Sequence, residues 1–257
     1  VHAFHSLAYL DVEKSGSTYV SQFLRDFLDD DEVVFRKHVE VEDRLPAGRL
    51  HVISVRDPLD SYLSLYSYGC QGKGGLFGTM RNAGVENLYD GTADGFDRWL
   101  DVVLDPAGAH RLNPGSYGRS GAAPYTGLLS FRVARLSGPR ALRWIRRVRS
   151  ADEFVAAYRE HHVVDVVLHN ETLTQDLVAL VGRDDLAWRP GREAALAALA
   201  AQDRLNASSR LDADAGFAVP DDAWDRVAAR ERLLTEVFGY GAHRTSTRSA
   251  SQAMSAV

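Results

Sequence analysis

A lysine, a glycine and three hydroxyl residues stand together as Lys14-Ser15-Gly16-Ser17-Thr18, and the chemistry they share is the holding of an anion. Lys14 brings a point charge, Ser15, Ser17 and Thr18 bring hydroxyl donors, and Gly16 lets backbone come close to a ligand. An apolar run leads into this stretch through Leu10, Asp11 and Val12. After it, Val20, Phe23, Leu24, Phe27 and Leu28 recur at helical spacing. The turn is therefore expected where a strand hands over to a helix N-terminus. There the first backbone N–H groups lack intrahelical acceptors and the helix dipole favours negative charge. A phosphate or sulfate suits such a seat. On this stretch alone two readings are open: an oxyanion seat, or an ordinary strand-to-helix turn with an exposed lysine.

A second constellation begins at Arg56. Leu50 to Val55 is short, apolar and rich in β-branched residues, as a buried parallel strand should be. It ends at Arg56-Asp57-Pro58, and proline at that place predicts a turn and then a helix. On that helix Leu59, Tyr62, Leu63 and Tyr66 give the apolar face, with Ser64 on the face of Asp60 and Ser61. An arginine fork with a hydroxyl suits a second phosphate, bound apart from the first.

The two constellations resemble the nucleotide motifs of PAPS-dependent sulfotransferases. Lys14-Ser15-Gly16-Ser17-Thr18 is similar to their 5′-phosphosulfate loop. Arg56-Asp57-Pro58-Leu59-Asp60, continued by Ser64 and Tyr66, is similar to their 3′-phosphate motif. The resemblance implies a P-loop-like three-layer sandwich, with a central parallel sheet flanked by helices. It also implies sulfuryl transfer from PAPS to a hydroxyl or amine, with PAP as product and no metal. Lys14 would then neutralise charge on the leaving phosphate, and the backbone from Ser15 to Thr18 would hold the 5′-phosphate. Arg56 and Ser64 would read the 3′-phosphate. In cytosolic members a histidine after the second strand, preceded by a lysine, is the general base. Lys37-His38 is similar, although the lysine is adjacent and the following proline is missing. Other branches use a glutamate, for which Glu40 and Glu13 are the alternatives.

The chain also departs from the family. Glu13 replaces a usual proline, which sets a carboxylate beside the anion seat. Asn170, in His169-Asn170-Glu171-Thr172, stands in place of an adenine-stacking aromatic. Asn206-Ala207-Ser208-Ser209-Arg210 occupies the place of a C-terminal Arg-Lys-Gly loop, which makes Asn206 and Ser208 further nucleotide candidates.

The elements that must position these residues read as α/β. Apolar strands are expected at Ser6 to Val12, Val33 to Phe35, Leu50 to Val55 and Val163 to Leu168, with helical patterns between them. In such a sheet ligands bind at the C-terminal ends of strands. The Lys14 turn, His38, Arg56 and the His169–Glu171 segment each follow a strand. The stretches 69–95 and 106–127 are rich in glycine and read as loops, either gating an acceptor pocket or simply flexible. Single helices are expected over Pro139 to Val148 and over Pro220 to Phe238. The reading is one domain over 1–245, with a disordered tail at 246–257.

Composition narrows the classes. The chain has 257 residues, 45% of them hydrophobic, enough for a sizeable core, and a net charge of −5 that speaks against a nucleic-acid binder. One cysteine, Cys70, excludes an intrachain disulfide and points to a cytoplasmic protein; no signal peptide or bilayer-length apolar run is visible. No metal-ligand cluster is seen. The expected partner is a small-molecule or carbohydrate acceptor. Arg140, Arg143, Arg146, Arg147 and Arg149 crowd one amphipathic segment and read as a solvated face. Two other classes are weighed against the transferase: a P-loop-like ATP-dependent kinase, disfavoured because no Walker A sequence is present, and a non-catalytic nucleotide or polyanion binder.

Overall fold

The computed structural model of the chain describes residues 1–36, 41, 48–112, 116–201 and 217–241. The chain is α/β. It falls into two compact units, one drawn from Val1–Arg56, Arg132–Ala141 and His161–Ser208, the other from Asp57–Phe131, Leu142–Glu160 and Ser209–Val257.

The sheet belongs to the first unit. Its strands are β1 (His2–Ala3), β2 (Leu7–Leu10), β3 (Val34–Phe35), β4 (Leu50–Val55) and β5 (Val166–His169), in the order β3-β1-β2-β4-β5. The helices are α1 (Ser17–Phe27), α2 (Pro58–Cys70), α3 (Gly75–Asn82), α4 (Ala93–Leu104), α5 (Ala109–Leu112) and α6 (Leu128–Ser137). They continue as α7 (Ala141–Ile145), α8 (Ala151–His161), α9 (Leu173–Val181), α10 (Arg192–Ala201), α11 (Ala223–Arg230) and α12 (Arg232–Glu236). None among the described residues is long and apolar enough to cross a membrane.

β2, β4 and β5 are parallel, with Leu10 beside Ile53 and Val55 beside His169. Their apolar sequences fit burial on both faces. The expected parallel sheet needs one correction: β1 is antiparallel to β2 and to β3, so the sheet is mixed. Phe4 N donates to Leu7 O at 2.7 Å, closing a tight reversal that brings β1 back along β2. β3 then runs in the same direction as β2, as expected, but it is only two residues long. On one face of the sheet, Tyr9, Val52 and Leu168 pack with Val20, Phe23 and Leu24 of α1 and with Leu177 and Leu180 of α9. The stripe expected on α1 thus lies against the sheet and fixes where its N-terminus points.

The second unit is helical. α2 packs against α3, α4 and α11. Tyr66 of α2 meets Tyr89, Phe96 and Trp99 with ring centroids 5.4–5.7 Å apart. Tyr62, Tyr66, Tyr117 and Phe131 are all buried in the core. Part of the expected 69–95 loop is helix. In α3, Leu76 and Met80 are buried at i and i+4, and Thr79 Oγ1 donates to Leu112 O at 2.8 Å. Two apolar anchors and one tether outweigh the poor helix propensity of its glycines. The segment Pro139 to Val148 is helical only over α7. The helix expected over Pro220 to Phe238 is broken at Glu231, between α11 and α12.

Candidate functional site

The parallel register puts the C-terminal ends of β2, β4 and β5 on one edge of the first unit. The turn carrying Lys14 leaves β2, Arg56 leaves β4, and Asn170 leaves β5. Gly16 brings two of these together. A Cβ there would lie 2.8 Å from Asn170 Nδ2 and 3.0 Å from Leu173 Cδ2, so the Asn170 side chain sits directly against the turn. Asp176 of α9 fastens that segment. Its Oδ2 accepts from His169 N at 2.6 Å and from Thr172 Oγ1 at 3.1 Å, and lies 3.5 Å from His169 Nδ1.

The turn itself is unusual. Lys14 has φ 68° and Gly16 has φ 82°. The left-handed region is open to glycine but costs a lysine roughly 1 kcal/mol. Such an outlier persists where the surroundings impose it, and it is a reason to look for function. Gly16 is the N-cap of α1 and has no side chain to cap it; the first N–H groups bonding back to it are those of Tyr19 and Val20. The earlier N–H groups of the first turn therefore lie beyond the reach of intrahelical acceptors, as an anion seat requires. Ser17 is half-buried and Thr18 exposed, both on that first turn.

Ser15 corrects part of the sequence reading. Its hydroxyl is buried and donates to Val12 O at 2.8 Å, so it accepts from Ser54 Oγ at 2.6 Å. Ser54 in turn accepts from Tyr9 OH at 2.5 Å, and burial pushes the Tyr9 phenol far up, keeping it a donor. This relay ties the turn to β2 and β4. Ser15 thus holds the turn in place with its side chain, whose hydroxyl is engaged within the fold. The visible signal was Ser54, a hydroxyl residue between Ile53 and Val55 in β4.

Charge gathers at the same place. Burial pushes the Lys14 ammonium below the usual lysine range; Glu13 draws it back up, and the Arg56 guanidinium pushes it down again. Lys14 and Arg56 are therefore near enough to repel. Glu13 makes an ion pair with Arg132 of α6, with Arg132 Nη1 2.9 Å from Glu13 Oε2. Sequence reading set Glu13 beside the turn but missed Arg132, because no periodicity links positions so distant in the chain.

Of the second motif, Arg56 belongs to the first unit and Ser64 to the second. Arg56 is half-buried at the end of β4. In the second unit, Asp57 caps α2 by accepting from Asp60 N at 3.0 Å, with Pro58 in the first helical turn. Ser64, expected away from the core face, is only 6% exposed, while Leu63 is the residue left half-exposed. Packing of α2 on several helices accounts for this. The Ser64 hydroxyl has no hydrogen-bond partner among the described residues, and an unsatisfied buried hydroxyl costs about 1–3 kcal/mol. His38, Glu40, Asn206, Ser208 and the 246–257 tail lie outside the described residues. Among the described residues no His, Cys, Asp or Glu group is arranged to hold a metal ion.

Gly16→Ala should report on the seat directly. The left-handed φ and the approach to Asn170 and Leu173 together are expected to cost about 1–2 kcal/mol, measured as a lower urea midpoint. An unchanged midpoint would mean that neither the φ nor the Asn170 contact constrains the turn.

Comparison of the chain with protein-family models, curated proteins and solved structures finds no match.

Proposed function

We propose that the chain is a PAPS-dependent sulfotransferase built on a P-loop-like sandwich, moving a sulfuryl group to a hydroxyl or amine of a small-molecule or carbohydrate acceptor. The observation that carries this reading is a lysine in the left-handed region, one residue before the uncapped glycine that opens α1, with an arginine at the next strand end near enough to perturb it. Backbone N–H groups from Ser15 to Thr18 take the 5′-phosphate, and Lys14 lies against the oxygen that bridges phosphate and sulfur. As the acceptor oxygen bonds to sulfur, the bond from sulfur to that bridging oxygen breaks. Lys14 offsets the charge left on PAP, the kind of electrostatic contribution that usually dominates catalysis. The resemblance implies that Arg56 and Ser64 read the 3′-phosphate. Asn170, beside Gly16, is a further nucleotide contact.

The acceptor's proton goes to His38, with Glu40 as the alternative. Glu13 is the weaker alternative, because Arg132 already engages its carboxylate. The single cysteine remains the ground for a cytoplasmic placement.

Calorimetric titration with PAP, beside ADP and ATP without magnesium, tests the reading. PAP is expected to bind more tightly than either, and Arg56→Ala to weaken it by roughly tenfold to hundredfold, as for loss of a charge-assisted hydrogen bond. Equal or tighter binding of ATP overturns the reading in favour of a phosphoryl-transfer enzyme.

A further inference from the structure

Glu13 is an awkward neighbour for a phosphate seat. Its carboxylate repels an incoming dianion and competes with it for Lys14, whose pKa it draws upward across the turn. Arg132 reaches Glu13 from α6 with a contact of 2.9 Å, and both side chains are largely withdrawn from solvent. Charges in such a setting are screened less than surface charges. Four charged groups, Glu13, Lys14, Arg56 and Arg132, thus form one cluster on the turn.

We propose that Arg132 is a positioning residue of the anion seat, supplying the counter-charge for Glu13 so that this carboxylate does not fall to Lys14 alone and the seat stays attractive to a phosphate-bearing ligand. The inference rests on the reading of the turn as a phosphate seat. Arg132 acts through Glu13 and need not touch the ligand. A chain that carries a glutamate beside its binding lysine needs a second cation there, and a proline at the same position would not.

A charge-neutralising double-mutant cycle tests this, with PAP as the probe in calorimetry. Arg132→Met is expected to weaken PAP binding by about tenfold, within the range for one close charge pair. Glu13→Gln should bind as tightly as wild type or more so, and the double variant should return to within about threefold of wild type. A double variant as weak as Arg132→Met overturns the proposal, since Arg132 would then act on the ligand or on the fold. Should Arg132→Met not fold, Glu13→Gln decides alone: weaker PAP binding in it is the overturning result.

A second readout needs no ligand. The chain has three lysines, Lys14, Lys37 and Lys73, so dimethylated-lysine NMR gives few signals to assign. Lys14 should titrate at higher pH in Arg132→Met and at lower pH in Glu13→Gln than in wild type. If it does so while none of the four proteins, wild type included, binds PAP, the sulfotransferase reading fails and the role of Arg132 stands. If wild type binds PAP but Lys14 titrates alike in all four proteins, the role of Arg132 fails and the reading stands.

Discussion

Lys14→Gly is expected to lose sulfuryl transfer, by about 10²–10³-fold in kcat, while leaving the fold as stable as before or up to about 1 kcal/mol more stable. The two effects have separate causes. Lys14 holds φ 68°, where a side chain is penalised and glycine is not. It also holds a half-buried ammonium against the Arg56 charge. Glycine relieves both, offset in part by the greater freedom it gives the unfolded chain. In the proposed mechanism, what it removes is the charge that offsets the departing phosphate oxygen. Lys14→Ala removes the same charge but keeps the backbone penalty, so it should be as inactive and less stable than Lys14→Gly. A strained, self-repelling residue whose removal stabilises the fold is the signature of a site shaped for a ligand. Turnover retained in Lys14→Gly would sink the mechanism, and a loss of several kcal/mol would make Lys14 structural.

The same residue sets a pH dependence. A phosphate binds best while Lys14 is protonated. Because burial lowers the Lys14 pKa, PAP affinity should decline as pH rises through that lowered value, below where an exposed lysine would lose its proton. The decline should be absent in Lys14→Gly.

What could be read from the sequence follows from the range of each signal. The passage from β2 through the Lys14 turn into α1 is legible because an apolar run and a helical stripe are both local patterns. β4 and its arginine end are legible for the same reason. β1 is not, since two residues carry no periodicity and pair only because the chain doubles back at Phe4. α3 hid behind its glycines, as its anchors are only Leu76, Met80 and a tether to Leu112. The seat's supports were hidden as well. The Tyr9–Ser54–Ser15 relay and the Glu13–Arg132 pair join residues far apart in the chain, and apart from the hydroxyl of Ser54 within β4 nothing in local spacing announces them. Residue types that face a ligand can be found by motif; those that hold them in place are found only by folding.

The largest effect on stability should come from Glu231, a carboxylate with no part in the proposed chemistry. It is fully buried in the second unit, at the break between α11 and α12. Its oxygens accept from Leu129 N at 3.2 Å and Ser130 N at 2.7 Å, and from the Tyr62 hydroxyl. The two amides belong to the first turn of α6, so Glu231 supplies the negative charge and the acceptors that a helix N-terminus lacks. Gly127, just before α6, leaves room for it, since a Cβ there would lie 2.0 Å from Oε1. Removing the carboxylate takes the acceptor from two buried amides, at about 1–3 kcal/mol each when left unpaired, and ends the contact with the Tyr62 hydroxyl. Glu231→Ala is therefore expected to destabilise by about 3–5 kcal/mol, read from urea unfolding. Glu231→Gln keeps one acceptor oxygen but turns donors toward donors, and should lose about half as much. Tyr62→Phe removes one donor only and should cost less than either. If Glu231→Ala lost under 1 kcal/mol, the carboxylate would not be what holds α2, α6 and α11 together, and the break at Glu231 would need another cause.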